Sequence, residues 1–250
     1  MRTNLDRTLI LICGLASLAA NADEVNVAVA TNFALPMQCL EMQFENTTSH
    51  EITAVTGSTG QLFAQVLNGA PYDVFLAADP ERPTRLVVQG IAVSGTQFTY
   101  ALGQLTLWTR QTALTGDRSL DLLASDKFRR LAIANPRLAP YGLAAQQTLE
   151  ALGLWEALQS KIVRGENVAQ TFAMVETQNA ELGLVAHSSV IAYSGGHTVA
   201  RIPAAHHDPI RQDAVLLTRG ETNLAALEFI RFLQGAQART LIREAGYLLP

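Results

Sequence analysis

Five short segments place small hydroxyl and amide residues where an apolar, strand-like run gives way to a helix-like one. Thr31-Asn32 follows the alternating Val25, Val27 and Val29, Gly57-Ser58-Thr59-Gly60 follows a run that begins at Ile52, and Asp79-Pro80 follows Asp73 to Ala77. Pro140-Tyr141-Gly142 comes after Leu131 to Ala134, and Glu166-Asn167-Val168 opens a further helical pattern. Singly, each reads as a helix cap, because Ser, Thr, Asn and Asp oxygens accept from free backbone N–H groups. Together they permit a second chemistry. A helix start carries uncommitted N–H donors and the positive end of the helix dipole, so it holds an oxyanion without a charged side chain. The hydroxyls of Thr31, Ser58 and Thr59 add donors. In open α/β sheets such loops gather at the carboxyl ends of the strands, where ligands bind. Two such loops from each of two lobes would close on a small tetrahedral anion.

Other chemistries find less support. Gly57-Ser58-Thr59-Gly60 is not a nucleophile elbow, and neither phosphate-loop glycine pattern occurs. The histidines, His50, His187, His197, His206 and His207, show no metal-ligand spacing. His206-His207-Asp208 reads first as a solvated loop and second as part of a metal site. Arg137, just ahead of Pro140, reads as an exposed loop arginine or as an anion partner. An α/β enzyme using Ser58 or the His206-His207 pair stays open as a reading from a different class.

The elements that must position these segments alternate along the chain. Further short apolar runs lie at Leu105 to Thr109, Leu182 to Ala186 and Ala214 to Thr218. Between the runs, Met37, Leu40 and Phe44, then Leu62 and Val66, then Val168, Phe172 and Val175 fall at helical spacing. Two C-terminal helices are expected near Asn223 to Gln234 and Ala236 to Ala245, separated by Gly235. Alternation of this kind predicts α/β layering. Crossings between lobes are expected around Tyr100 to Gln104 and Pro203 to Arg211, which makes the first lobe discontinuous, with residues 23–102 plus 206–250 in one lobe and 103–205 in the other. A ligand cleft then lies between them, at a hinge.

The whole chain has 250 residues, 48% of them hydrophobic and 16% charged, the composition of a folded globular protein. Its net charge of −4 and two lysines, Lys127 and Lys161, leave no basic footprint for nucleic acid or an anionic membrane. Residues 1–22 read as a secretory signal. Arg2 and Arg7 are its cationic start, Thr8 to Ala20 its apolar core, and Ala20-Asn21-Ala22 its cleavage site. Cleavage there makes Asp23 the first residue, and loss of Arg2, Arg7 and Asp6 takes the net charge to −5. Cys39 is then the single cysteine, expected as a small buried residue of an amphipathic helix.

Several longer stretches carry a resemblance. They include Val27 to Phe33, Gly57 to Gly60, and Asn68-Gly69-Ala70-Pro71-Tyr72-Asp73-Val74-Phe75-Leu76-Ala77-Ala78-Asp79. Phe98-Thr99-Tyr100-Ala101-Leu102-Gly103-Gln104-Leu105-Thr106-Leu107-Trp108, Asn135-Pro136, Ala139 to Ala144 and the closing Ala245-Gly246-Tyr247-Leu248-Leu249-Pro250 complete them. With these motifs, essentially the whole mature chain resembles the periplasmic molybdate-binding receptors of ABC importers, of the ModA type. The resemblance implies an α/β type II periplasmic binding protein fold, two lobes joined by a two-strand hinge with the ligand cleft between them. It implies ligand contacts at Thr31, Asn32, Ser58 and Thr59, and through the backbone at Tyr141 and Val168. Many members also place a ligand-contacting tyrosine where this chain has Gly183-Leu184-Val185-Ala186-His187, so that contact is absent here, with His187 as an alternative donor.

The expected protein is therefore a monomeric, non-enzymatic periplasmic receptor that captures molybdate and tungstate and delivers them to an inner-membrane ABC permease. It needs no cofactor, and its only metal is the molybdenum of the bound oxyanion. Molybdate only accepts hydrogen bonds at neutral pH, so a site of donors takes it and leaves the proton of phosphate without an acceptor. A receptor for another oxyanion such as sulfate, and an oxyanion-sensing module, are the alternatives.

Overall fold

The computed structural model describes residues 23–116 and 119–250, so the signal expected over residues 1–22 lies outside the described residues. Two five-stranded sheets organise the chain. In the first, β1 (Glu24–Ala30) lies parallel to β2 (Glu51–Gly57) and to β3 (Val74–Ala77). The strand β10 (Ile210–Leu216) runs antiparallel between β3 and β4 (Phe98–Gly103), giving the order β2-β1-β3-β10-β4. In the second, β6 (Leu131–Ala134) lies parallel to β7 (Ile162–Gly165) and β8 (Leu182–Ala186). Here β5 (Leu105–Thr109) is antiparallel between β8 and β9 (His197–Arg201), giving β7-β6-β8-β5-β9. Each sheet therefore takes as its fourth strand the one that arrives from the other sheet: β5 one residue after β4, and β10 after the loop from β9.

Both sheets are covered by helices on both faces, which is why their central strands read as continuous apolar runs. Val25, Val27 and Val29 of β1 pack on Met37, Leu40 and Phe44 of α1 (Ala34–Thr47) and on Phe229 and Leu233 of α8 (Leu224–Gln234). Ala28 and Phe75 face the opposite way, onto Leu62, Phe63 and Val66 of α2 (Thr59–Leu67) and Leu86 of α3 (Glu81–Val88). In the second sheet Leu131 and Ile133 meet Tyr141, Ala145 and Leu149 of α4 (Pro140–Ala151). On its other face Trp108, Ala132 and Val185 meet Val175 of α6 (Val168–Glu176), with Phe172 stacked on Trp108 at 4.5 Å between ring centroids. The short α5 (Trp155–Leu158), α7 (His187–Ile191) and α9 (Ala236–Glu244) complete the helices used below.

Three expectations change. Cys39 is exposed on α1 rather than buried, because it sits off the Met37, Leu40 and Phe44 stripe. The last long strand begins at Ile210, not Ala214, and Thr218 falls in a 3-10 turn. The strands β7 and β9 carried no apolar run, because both lie at sheet edges with several exposed side chains. Among the described residues, no helix is long and apolar enough to cross a membrane.

Candidate oxyanion site

The candidate ligand residues all sit where a parallel strand ends. β1 runs into a 3-10 turn at Thr31–Phe33, β2 into Ser58 and α2, β6 through residues 135–139 into α4, and β7 through Glu166 and Asn167 into α6. A sixth helix start, that of α7, follows β8 directly. Asn32, Ser58, Thr59, Tyr141 and Val168 are buried, and Thr31 is half-buried.

Capping separates these starts into two kinds. Ser58 caps α2 in a reciprocal box, its Oγ accepting from Gln61 N while Gln61 Oε1 accepts from Ser58 N, both at 3.3 Å. Asn167 caps α6 through Gln170 N at 2.9 Å. The turn at Thr31 and the starts of α4 and α7 have no side-chain cap. First-turn N–H groups lack intrahelical acceptors by position. At α7 the first of them, His187 N, donates to Gln104 O at 2.9 Å, and at α4 Pro140 has no N–H, so Tyr141 N is the first donor there. On the hydroxyl side, Thr59 Oγ1 accepts from Ala78 N at 3.1 Å. With Ser58 and Thr59 each already accepting from a backbone N–H, their hydroxyl protons are the groups left to offer.

Several contacts tie these segments across the two lobes. Gly60 N donates to Leu138 O at 2.8 Å, joining the start of α2 to the loop before α4. A Cβ at Gly60 would come within 3.0 Å of that carbonyl, so the close approach needs glycine. Gln61 Nε2 donates to Glu166 Oε2 at 3.1 Å, and Arg82 Nη2 to Arg137 O at 3.2 Å. Ala30 and Ala78 of the first lobe share one apolar cluster with Tyr141, Val168 and Ala186 of the second. A cavity of about 200 Å³ opens beside them, lined by Thr31, Asn32 and Leu35 on one side and by Ala169, Phe172 and Ser188 on the other.

Asn32 plays a part its position alone did not reveal. Its amide donates to Gln212 Oε1 at 2.7 Å and to Tyr247 Oη at 3.0 Å, so both hydrogens are spent inside the protein. What it can offer a ligand is its backbone N–H. Tyr247 Oη donates to Asn32 O at 2.7 Å, and Ser188 Oγ lies 3.1 Å from that carbonyl and 3.2 Å from Tyr247 Oη. Ser188 belongs to the second lobe, so this buried network crosses the cleft. Burial pushes the Tyr247 hydroxyl up to about 12, against the opposing effect of hydrogen bonds with Ser188, Asn32 and Tyr141, so it stays a neutral donor. The Tyr141 hydroxyl, held well above its ordinary value by burial and by Tyr247, lies against Gly103 at the crossing between β4 and β5. It completes no hydrogen bond of good geometry among the described residues.

His187 closes the segment that lacks the expected tyrosine. Its Nδ1 faces Thr106 Oγ1 at 3.3 Å, turned toward β5, and the neighbouring Ser188 is the side chain that reaches the first lobe. Sequence reasoning passed over Ser188, Gln212 and the network role of Tyr247. The closing run Ala245 to Pro250 contains Tyr247, but nothing local marks residues paired over such separations. Arg137 is exposed, contributing its carbonyl rather than its guanidinium to these contacts. Asp208 pairs with Gln147, and among the described residues no group of three potential metal ligands occurs.

Two helix-covered sheets, each completed by a strand from the other, with helix starts meeting across the gap between them, define a two-lobed periplasmic binding protein. Residues 25–248 match the family model of the bacterial extracellular solute-binding proteins. The chain is 44% identical to the molybdate-binding protein ModA of Azotobacter vinelandii over 99% of both chains. It is 41% identical to ModA of Rhodobacter capsulatus, over 96% of this chain and 94% of that one. The solved periplasmic molybdate-binding protein of Azotobacter vinelandii superimposes with a TM-score of 0.86 at 38% identity, covering 90% of this chain and 99% of its own. The chain belongs to the bacterial extracellular solute-binding proteins and, within them, to the ModA molybdate-binding family.

Proposed function

We propose that this protein is the periplasmic receptor that captures molybdate, and tungstate with it, and passes the anion to the permease of an ABC importer. It acts as a monomer and catalyses no reaction. The lobes are residues 23–102 plus 206–250 and residues 103–205, and the signal over residues 1–22 delivers the chain to the periplasm. The ligand is held by the hydroxyls of Ser58 and Thr59, by Thr31 and the backbone at Asn32, and by the backbone N–H groups at Tyr141 and Val168.

The observation that carries this reading is the pattern of commitments around the cleft. Uncapped helix starts and hydroxyls that already accept leave donors and few acceptors for a ligand. Arg82, which reaches the loop before α4, is paired with Asp79. Such a site suits a fully deprotonated dianion, whose burial is tolerable only when every oxygen is hydrogen-bonded. Phosphate, which carries a proton near neutral pH, would bring a donor to a set of donors. Sulfate is smaller and would leave donors unmet, whereas tungstate is nearly isosteric with molybdate.

Calorimetric titration of the exported protein with molybdate, tungstate, sulfate and phosphate tests this. Tight, comparable binding of the first two with no response to the others is expected, and a preference for sulfate would overturn it. Light scattering of the same sample is expected to give a single-chain mass.

A further inference from the structure

At the opposite end of β1 from the ligand loop, Asp23 N donates to His50 Nδ1 at 3.1 Å. The imidazole is buried, with 7% of its surface exposed, and lies nearly parallel to the Phe44 ring. Its other nitrogen, Nε2, faces Glu228 Oε2 at 3.5 Å. Asp23 O accepts from Glu51 N at 3.1 Å, and the β1–β2 ladder begins at the next pair, Glu24 and Glu51. The nitrogen that His50 receives is thus the first one of the described residues. It is also the nitrogen that cleavage after Ala20-Asn21-Ala22 would turn from a peptide N–H into an α-ammonium group.

We propose that His50, backed by Glu228, is a binding site for the α-ammonium group that removal of the signal creates on Asp23. The chemistry is consistent along the chain of atoms. A neutral imidazole protonated on Nε2 points its hydrogen at the Glu228 carboxylate and its Nδ1 lone pair at the ammonium. The carboxylate polarises the ring and strengthens Nδ1 as an acceptor, and hydrogen bonding to the charged form of the amine favours that form. Capture pins the start of β1, whose far end carries Thr31 and Asn32. The uncleaved chain has only a single, neutral N–H to place there.

This rests on the cleavage position proposed above, and the two can fail separately. Protein exported to the periplasm is purified and its intact mass measured, and a chain beginning at Asp23 is expected. A different start would overturn the cleavage position and, with it, the ammonium at Asp23. On the protein of correct mass, acetylation of the α-amine by an N-hydroxysuccinimide ester near pH 7 is followed by peptide mapping, apart from Lys127 and Lys161. The wild type is expected to react about tenfold more slowly than His50→Phe, the change that one unit in amine pKa produces. A chain carrying one extra Gly before Asp23 keeps the Asp23 N–H but moves the amine away, and it is expected to react as fast as the variant. Glu228→Gln, at a half-exposed position, is expected to fall between them and serves if His50→Phe does not fold. Equal rates in wild type, Gly-extended chain and Glu228→Gln would overturn the capture.

Discussion

Ser58, the cap of α2, and Thr59, its first residue, are the two hydroxyls proposed to meet the ligand. Each accepts from a backbone N–H of its own lobe, and the orientation this sets is what turns the hydroxyl proton outward. Thr59→Val keeps the side-chain shape and removes the hydroxyl. Molybdate affinity is expected to fall about 10- to 100-fold, the loss of one hydrogen bond to a charged group, read by calorimetry. Arg137→Ala is expected to leave affinity within about threefold, since the exposed guanidinium gives no more than surface electrostatics. His187 carries a pH dependence. Burial, and then Arg201, lowers its pKa below the usual histidine value, so the unfolded chain takes up a proton first as pH falls. Its contribution to stability is therefore full above pH about 6.5 and is lost as pH drops toward the folded value. Melting temperatures between pH 7 and 5 are expected to fall more steeply for the wild type than for His187→Gln.

At the scale of elements, the uncapped starts stand out. The turn at Thr31, α4 and α7 leave first-turn N–H groups without side-chain acceptors, whereas α2, α6 and α8 are capped by Ser58, Asn167 and Asn223. A helix start without a cap costs stability, typically about 1 kcal/mol, unless a ligand supplies the acceptor. Bound molybdate is accordingly expected to raise the melting temperature, as mass-action linkage requires. Gly60 brings the capped start of α2 against the loop before α4. Gly60→Val forces its side chain onto Leu138 O, and molybdate is expected to dissociate faster from the variant in stopped-flow fluorescence while the ligand-free melting temperature changes little. Most of these elements were legible as apolar runs and helical spacings, because strands covered on both faces and amphipathic helices print their burial on the sequence. β7 and β9 were not, since short edge strands bury too little to do so.

For the whole molecule, the chain passes between the sheets twice, at β4–β5 and β9–β10, and a hinge there is expected to let the lobes close on a ligand. Ser188, Asn32 and Tyr247 form a buried polar contact between the lobes. Ser188→Ala removes from that network the donor to Asn32 O and leaves the hydroxyls of Ser58 and Thr59 in place. Affinity is expected to drop about three- to tenfold through faster dissociation, with the association rate unchanged, because closure follows encounter. An equal loss in the association rate would show that Ser188 acts before closure instead.

The sequence by itself determined the α/β alternation, the helix starts at Thr31, Ser58, Tyr141 and Val168, and the resemblance that pointed to an oxyanion. These are local matters of residue type, spacing and cap chemistry, written within a few residues of one another. Which donors remain free was decided only by tertiary structure. Asn32 reads as a donor until Gln212 and Tyr247, 180 and 215 residues away, claim its amide. Ser188 carries no local signal, and only folding sets it against Asn32 O. Hydrogen-bond commitments between distant residues depend on how two lobes pack, and no local pattern records them.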